Sequence, residues 1–323
     1  MTAVKVLDGG FSGQLSRHVE AKIDGDPLWT SRFLATDPDA VYATHLDFLR
    51  AGVDVIETNT YQASVPGLIK YLNMSERESV DLLAKAVALA KKAVDVYTRE
   101  TDNLRKPHID ARPMVAGSCG SYGAYLHDSS EYTGSYGKSI SRQELIDWHR
   151  PRVQALLDAG VDLLALETIP CIEEAEALLE LLCEFPHARA WLSFSCRDGQ
   201  LLADGSIFHE ASVRCYRASP SQIVAVGVNC IDPRYVTPLL NGINGSTSSR
   251  DFIPLIVYPN RGGSCSTTGG WTAVPDDHSL NLPISEWLDM GVRYIGGCCK
   301  IFAEDIKTIR SEVDQYYAKI AAI

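Results

Sequence analysis

Short apolar runs alternate with longer amphipathic segments eight times along this 323-residue chain. The runs are rich in Val, Ile and Leu, which is typical of strands in a parallel sheet that is covered on both faces. The predicted strands are Val4–Leu7, Val53–Glu57, Met114–Ala116, Leu163–Glu167, Ala190–Phe194, Ile223–Val228, Ile253–Val257 and Val292–Ile295. The predicted helices are Asp39–Ala51, Glu76–Thr101, Arg142–Ala159, Ile172–Glu184, Ile207–Arg217, Pro233–Leu240, Ile284–Met290 and Ala303–Ala322.

Eight strand-then-helix units without a break in composition favour one (β/α)₈ barrel domain over residues 1–323, rather than two domains. A doubly wound open sheet is the structural alternative. Three helices run into their next strands through similar sequences, with Gly52, Gly160 and Gly291 at equivalent positions. A glycine directly after the last helical turn predicts a left-handed C-terminal cap.

Composition and charge exclude several classes of protein. The net charge of -11 argues against a nucleic-acid or anionic-membrane partner. No apolar stretch approaches the ~20 residues of a membrane span. The N-terminal residues lack the layout of a secretory signal, and the nine cysteines are an odd number. We therefore expect reduced thiols and a cytoplasmic location.

Polar side chains gather where the predicted strands end, while the strand bodies stay apolar. These strand ends include Asp8-Gly9-Gly10, Glu57-Thr58-Asn59-Thr60, Glu167, Ser193, Asn229-Cys230 and Gly296-Gly297-Cys298-Cys299. In a barrel the carboxyl ends of all strands lie at one face, which is where barrel enzymes carry their active sites. The pattern therefore predicts one active site at that face.

The adjacent pair Cys298-Cys299 indicates a metal site. Neighbouring cysteines rarely form a disulfide with each other, because consecutive Cα atoms lie only about 3.8 Å apart. Two thiolates can hold one soft ion, and zinc is the natural metal for a thiolate-rich site in the cytoplasm. The third ligand stays open among several cysteines on the same face, and Cys230 is favoured because it stands directly at a strand end. Candidates besides Cys230 are Cys119, Cys196 and Cys265, with Cys171 slightly farther along its loop.

Three thiolates leave a tetrahedral ion one open position, which is typical of a catalytic site. By contrast, we expect Cys183 and Cys215 to be small buried hydrophobic residues. Asp8 and Glu167 admit two interpretations: each could cap a helix or pair with an amide, or both could hold a cationic group such as an amino-acid ammonium. The amides of Gly9 and Gly10 could approach a carboxylate.

Two connections are long enough to act as lids or binding loops, namely 119–141 and 259–282. The first carries Tyr122, Tyr125, Tyr132 and Tyr136. These rings could simply pack the loop onto the barrel. They could also line a pocket for a sulfonium or ammonium group, because ring faces attract cations by ~0.5–2 kcal/mol.

Taken together, the motifs resemble those of the homocysteine S-methyltransferase family. They are Asp8-Gly9-Gly10, Glu57-Thr58-Asn59-Thr60-Tyr61, Gly117 to Tyr125, Glu167-Thr168-Ile169-Pro170, Gly227-Val228-Asn229-Cys230 and Gly296-Gly297-Cys298-Cys299. They occur in order and span nearly the whole chain. The resemblance implies a (β/α)₈ barrel, a zinc ion held by Cys230, Cys298 and Cys299, and a homocysteine amino group held by Asp8 and Glu167. We also expect Gly9, Gly10, Thr58, Ser193 and Asn229 to contact the substrate.

Two segments depart from the family pattern. The family usually follows its cysteine pair with Thr-Pro and a His, where this chain has Lys300-Ile301-Phe302-Ala303-Glu304. It commonly continues Ser-Gly-Glu after the residues matching Tyr258-Pro259-Asn260, where this chain has Arg261-Gly262-Gly263-Ser264. The second segment bears on the choice of methyl donor.

Length implies a compact family member. Little follows the last predicted helix, so we expect neither the C-terminal arm of betaine-dependent relatives nor the cobalamin modules of methionine synthase, and no use of cobalamin or folate. The compact members take a methyl group from S-methylmethionine or S-adenosylmethionine and convert homocysteine to methionine. Alternatives are methyl transfer to selenocysteine or another thiol, a non-enzymatic zinc-thiolate redox sensor, and a metal-independent barrel enzyme acting on a phosphorylated substrate.

Overall fold

The computed structural model describes residues 3–102, 112–245, 252–262 and 280–322, together with the backbone of residues 265–266 and 270–271. Its strands are β1 Lys5–Val6, β2 Val55–Glu57, β3 Met114–Gly120, β4 Leu163–Ile169, β5 Ala190–Phe194, β6 Ile223–Asn229, β7 Leu255–Tyr258, β8 Cys265–Ser266, β9 Gly270–Trp271 and β10 Val292–Ile295. Its α-helices are α1 Phe11–Leu15, α2 Phe33–Thr36, α3 Pro38–Arg50, α4 Val65–Leu72, α5 Glu76–Thr101, α6 Tyr122–Leu126, α7 Arg142–Asp158, α8 Ile172–Leu182, α9 Phe208–Ala218, α10 Val236–Leu240, α11 Ile284–Met290 and α12 Ala303–Ala321. Short 3₁₀ helices lie at Trp29–Arg32, Ser130–Tyr132 and Pro233–Tyr235.

Eight strands form one parallel sheet in the order β1-β10-β7-β6-β5-β4-β3-β2. Each neighbour in this order pairs in parallel, and a parallel bridge between Leu7 and Val55 brings the two edge strands together. The sheet is therefore a nearly closed barrel with helices between successive strands. The predicted (β/α)₈ barrel is confirmed, and its closure excludes the doubly wound open sheet. In the described part of the chain, no helix has the length and apolar character needed to cross a membrane.

Most predicted elements agree with the structure to within a few residues. The fifth and eighth predicted strands and the helix Glu76–Thr101 have the predicted bounds. The predicted helix at 233–240 is instead a 3₁₀ turn followed by α10. The short helices α1, α2, α4 and α6 were not predicted, because each is at most eight residues long and too short to show a clear helical period.

The repeated glycine signature has a structural role. Gly52, Gly160 and Gly291 all have positive φ, at 95°, 79° and 112°, so the predicted left-handed caps are confirmed. In two of the repeats the following aspartate pairs with the preceding strand. Asp54 accepts a hydrogen bond from Val6 N at 2.8 Å. Asp162 does the same for Val115 N at 2.7 Å, so each signature fixes the start of one strand against its neighbour.

Alternate residues of each strand belong to different buried clusters. One cluster contains Ala165, Trp191, Ala225 and Ile256 and fills the barrel interior. The residues between these positions, such as Leu192, point outward and pack in the large cluster that includes the helices. Because side chains alternate along a strand, the last inward positions of β2, β4 and β7 bring their side chains to the carboxyl end of the barrel. These last inward side chains form the floor of a cleft.

Candidate metal centre and substrate cleft

Three thiols converge at the carboxyl end of the barrel. Cys230 directly follows β6, while Cys298 and Cys299 follow β10 after two glycines. Their sulfur atoms all lie within 4.8 Å of one another. Cys230 Sγ lies 3.6 Å from Cys299 Sγ, and the two adjacent sulfurs are 4.0 Å apart. A tetrahedral zinc ion with Zn–S distances of about 2.3 Å would separate its sulfur ligands by about 3.8 Å, so the cluster fits such an ion.

The backbone around the thiols is held by the fold. Cys230 N donates to Tyr258 O at 3.1 Å, and Cys298 N donates to Pro259 O at 2.7 Å. Cys230 has a φ of 49°, a left-handed conformation that a residue with a side chain rarely adopts. Strained backbone of this kind clusters at functional sites. Hydrogen bonds from Cys298 and Cys299 hold the pKa of Cys230 well below its usual range.

The two segments that depart from the family pattern contact each other beside the thiols. Arg261 N donates to Cys299 O at 3.1 Å. Its side-chain Nε donates to Lys300 O at 3.0 Å, and its guanidinium pairs with Asp305 at 2.5 Å. Arg261 therefore fixes the turn between the cysteine pair and α12. Residues 263–264, 267–269 and 272–279 of the predicted loop 259–282 lie outside the described residues, as do the side chains of residues 265–266 and 270–271, which include the candidate ligand Cys265.

Tyr132 lies against the thiol cluster. Its hydroxyl is 3.3 Å from Cys230 Sγ, and it lines the cleft. The loop that carries Tyr132 is anchored by Glu174, a buried residue of α8. Glu174 accepts a hydrogen bond from Tyr122 N at 2.6 Å, is hydrogen-bonded to Tyr136 and pairs with His149 at 2.8 Å.

The four loop tyrosines lie in two different environments. Tyr122, Tyr125 and Trp148 pack ring against ring, with centroids 5.1 to 5.7 Å apart, and Tyr136 packs on Tyr122 at 5.5 Å. These three tyrosines hold the loop on the barrel. Among the four, Tyr132 is the ring that lines the cleft.

Three carboxyl groups share the floor of the cleft. Asp8 and Glu167 are only 4% and 7% exposed, and Glu57 lines the cleft beside them. Glu57 N donates to Asp8 Oδ2 at 2.8 Å, and the Glu57 and Glu167 side chains are hydrogen-bonded to each other. Glu167 also accepts hydrogen bonds from Ser118 and, at 3.3 Å, from Tyr258. The sequence did not single out Glu57 as a site residue.

Burial raises the pKa of all three carboxyl groups. The pKa of Asp8 rises to about 8, and the nearby Glu167 carboxylate adds to this rise. The pKa of Glu57 lies well above its usual range, first because of burial and then because of Glu167 and Asp8. Among the described residues that line the cleft there is no Lys or Arg. The buried carboxyl groups therefore have no cationic partner among the described lining residues.

The remaining predicted contact residues fall into two groups. Gly9, Gly10, Thr58 and Asn229 line the cleft. The amide of Gly10 is already engaged by Ile301 O at 2.8 Å, so the expectation that it binds a substrate carboxylate is not supported. The Thr58 hydroxyl accepts a hydrogen bond from Ser118 N at 3.0 Å.

Asn229 and Ser193 act on other residues of the site. Both amide atoms of the Asn229 side chain bind Thr168, at 2.8 and 2.7 Å, which holds Thr168 at a φ of 56°. Ser193 is fully buried and does not line the cleft. Its hydroxyl lies 2.5 Å from the Tyr258 hydroxyl. The strand register sets Ser193 level with Ile256, one inward layer below Tyr258. In this structure Ser193 supports Tyr258, and its contact with substrate stays a prediction.

The cleft also has an aromatic wall. Phe11, Trp29, Tyr61 and Tyr132 line an open space of about 650 Å³. The rings of Trp29 and Tyr61 meet edge to face with centroids 6.0 Å apart. Sequence reasoning missed Phe11, Trp29 and Tyr61, although Phe11 directly follows Gly10 and Tyr61 ends the motif that begins at Glu57.

Among the residues whose side chains the structure describes, the other five cysteines are not part of the thiol cluster. Cys119, Cys171 and Cys215 are buried, and Cys196 is partly buried. Cys215 is thus a buried residue as predicted, whereas Cys183 is exposed and that prediction was wrong. Cys183 is the next residue after α8, where the helix has reached the surface.

Known proteins resemble this chain in both sequence and structure. It is 47% identical to the betaine-homocysteine S-methyltransferase of Drosophila melanogaster, over 96% of this chain and 94% of that protein. It is 39% identical to the homocysteine S-methyltransferase of Escherichia coli, over 95% of this chain and 94% of that protein. The metallated crystal form of the Escherichia coli homocysteine methyltransferase MmuM superposes with a TM-score of 0.81 at 38% identity, covering 96% of each chain.

The homocysteine S-methyltransferase family model matches residues 5–313. This range begins at β1 and continues into α12, so it spans every barrel strand and all three clustered cysteines. Because that match covers nearly the whole fold, the chain belongs to the homocysteine S-methyltransferase family.

Proposed function

We propose that this protein transfers a methyl group from a sulfonium donor to the thiol of L-homocysteine, forming methionine, with zinc bound by Cys230, Cys298 and Cys299. The observation that carries this proposal is the composition of the cleft. It combines three converging thiols, three buried carboxyl groups and an aromatic wall, and no Lys or Arg among its described lining residues. The thiols would hold the metal that binds the substrate thiolate, the carboxyl groups would bind the ammonium group, and the aromatic wall would bind the sulfonium group.

The thiol cluster is the place for the metal. Its sulfur separations fit a tetrahedral ion, and three sulfur donors favour zinc among the metals common in cells. Zinc held there would lower the pKa of a substrate thiol at its fourth position and so supply a thiolate near neutral pH. The hydroxyl of Tyr132, 3.3 Å from Cys230 Sγ, would stabilise negative charge on that sulfur by a hydrogen bond.

The carboxyl groups would hold the amino end of homocysteine. An ammonium ion has three donors and no acceptor, and Asp8 and Glu167 offer buried oxygen atoms on the same floor. A bound ammonium would also offset the desolvation that raises the pKa of both groups. Gly9 also lines the cleft, and its amide, rather than the amide of Gly10 that Ile301 O already engages, would bind the amino acid's carboxylate.

The aromatic wall would receive the methyl donor. Ring faces attract a sulfonium cation, and the neighbouring carboxylates add to this attraction. In the transfer step the homocysteine sulfur forms a bond to the methyl carbon while the bond from that carbon to the donor sulfur breaks, and the donor leaves as a neutral sulfide. The protein needs no general base at this step, because its main task is to align two reactants.

Donor identity has a second candidate. The relative from Drosophila melanogaster is named for betaine, and this chain covers 94% of its length. Length therefore does not separate betaine-dependent from sulfonium-dependent members. A quaternary ammonium would also fit against aromatic rings, so only turnover distinguishes the two donors.

An assay of the zinc-loaded protein with homocysteine and each of three donors tests the proposed function. We expect methionine formation with S-methylmethionine or S-adenosylmethionine, at a rate at least ten times that with betaine. Turnover with betaine alone would overturn the sulfonium assignment. Turnover of selenocysteine but not homocysteine would reassign the acceptor, and no turnover with any pair would favour the redox-sensor alternative.

Replacement of one thiol tests the metal assignment. Cys298→Ser should lose both bound zinc and methyl transfer, because oxygen is a poorer ligand for a soft site. The matched control is Cys183→Ser, since Cys183 is exposed and lies apart from the cluster. It should keep both. Metal content by mass spectrometry and activity are measured on the same samples. Full activity in a zinc-free Cys298→Ser protein would contradict the proposal.

Asp8→Asn tests the electrostatics of the ammonium site. In the ligand-free protein Asp8 keeps its proton until about pH 8, whereas the unfolded chain releases it near pH 4. The free energy of unfolding should therefore fall as pH rises between those values. Asn carries no such proton, so the variant should gain stability relative to wild type from about pH 5 to pH 8, by up to about 1.4 kcal/mol per pH unit.

Urea denaturation at several pH values measures this difference. Because Asp8 shares its negative charge with the neighbouring Glu57 and Glu167, we expect the stability difference between the two proteins to change by less than about 1.4 kcal/mol per pH unit. The variant should still gain stability relative to wild type as pH rises. If the free energies of unfolding of wild type and Asp8→Asn change with pH in parallel, Asp8 is ionised in the ligand-free fold, and the prediction is wrong. The same variant should bind homocysteine more weakly.

A further inference from the structure

We propose that Glu57 is a positioning residue that acts as a neutral carboxylic acid: it donates a hydrogen bond to Glu167 and so fixes the carboxylate that receives the ammonium group of homocysteine. This inference rests on the proposed function, since it concerns the same ammonium site. It adds a residue and a protonation state to that site.

Glu57 touches both of the other carboxyl groups. It is the last residue of β2. It lies two positions after Val55, whose side chain is in the barrel interior, and therefore points to the same side of the sheet. Its backbone N–H binds Asp8 Oδ2 at 2.8 Å, while its side chain is hydrogen-bonded to Glu167. Two ionised carboxylates have only acceptors. One member of the Glu57–Glu167 pair must therefore carry a proton.

The surroundings place that proton on Glu57. Glu167 already accepts hydrogen bonds from the hydroxyls of Ser118 and Tyr258, and donors of this kind favour the ionised form. The Tyr258 hydroxyl accepts from Trp191 Nε1 at 3.0 Å, and it donates to Glu167 at 3.3 Å when the Ser193 hydroxyl, 2.5 Å away, donates to it. Around Glu57, by contrast, the nearby charged groups are the carboxylates of Asp8 and Glu167.

A neutral Glu57 lowers the negative charge of the ammonium site by one. Glu167 would have three hydrogen-bond donors from three different strands, which hold both of its oxygen atoms in place. With the ammonium group bound, the cleft floor would then present two carboxylates, at Asp8 and Glu167, rather than three that repel one another. Because Glu57 acts through Glu167 and away from the reacting sulfur, its loss should raise KM for homocysteine more than it lowers kcat.

Two substitutions at this position separate the possible roles. Glu57→Gln keeps the shape and a hydrogen-bond donor but cannot ionise. Glu57→Leu keeps the approximate volume and removes the donor. We expect KM for homocysteine to stay within about threefold of wild type for Gln and to rise by about ten- to a hundredfold for Leu, as for a lost hydrogen bond to a charged group. Glu286→Gln, at an exposed position in the first turn of α11, is the control and should change nothing.

Infrared spectroscopy reads the protonation state directly. The wild-type spectrum minus that of Glu57→Gln should contain the carbonyl band of a protonated carboxyl group at neutral pH, and the difference isolates Glu57 from other buried acids. The inference is overturned if this band is absent. It is also overturned if Gln raises KM as much as Leu, because Glu57 would then be a charged ligand, or if Leu changes nothing, because Glu57 would then only fill space.

The kinetic and the infrared measurements together also separate this inference from the proposed function. If wild type methylates no acceptor, the proposed function fails, and the infrared band still decides whether Glu57 is a neutral acid. If wild type is active but the band is missing, only the inference about Glu57 fails. If the Leu variant does not fold, the Gln kinetics and the band decide.

Discussion

Burial of acidic groups without a cation is the constraint on which this site depends. Three thiols and three carboxyl groups line one cleft, and no Lys or Arg stands among its described lining residues. Desolvation raises the pKa of the carboxyl groups, so the ligand-free fold keeps some of them neutral. A bound metal ion, an ammonium group and a sulfonium group would each offset part of this desolvation. The three cations in the proposed reaction are thus matched to three acidic or aromatic parts of the cleft.

The barrel makes this arrangement stable. Parallel strands end at one face, and alternation along each strand brings every second side chain to the interior. The apolar residues below, with Trp191 among small neighbours such as Ala165 and Ala225, form a rigid base. Hydrogen bonds then connect the layers: Ser193 and Trp191 hold Tyr258, which in turn holds Glu167. Site geometry is therefore fixed by residues that never reach the cleft.

Much of this fold could be predicted from the sequence. The eight strand-helix units were readable because strands covered on both faces are almost wholly apolar, and the glycine caps were readable because a left-handed residue favours glycine. Because these strands are apolar on both faces, their sequence does not show which alternate side chains point into the barrel. For that reason Glu57 was not singled out although it lies on the floor of the cleft. Ser193 does point inward, but the strand register, which the sequence does not show, sets it one layer below Tyr258.

The remaining errors have a different physical cause. Tyr132 reaches Cys230 because the loop after β3 folds back over the barrel and is anchored by buried Glu174. Such tertiary contacts have no local sequence signal. The position of Cys230 at a strand end only favoured it as the third thiol, and the family resemblance decided the choice, because several cysteines stand at the same face of the barrel. The structure brings Cys230, and not Cys119 or Cys196, into the cluster.

The central claim is that one homocysteine bridges the thiol cluster and the carboxyl floor. A crystal structure of the zinc-loaded protein with bound homocysteine tests it most directly. The predicted result places the substrate sulfur beside the sulfurs of Cys230, Cys298 and Cys299 and its ammonium group within hydrogen-bond distance of Asp8 and Glu167. A homocysteine whose sulfur lies away from the three cysteines, or whose ammonium group contacts neither carboxylate, would contradict it.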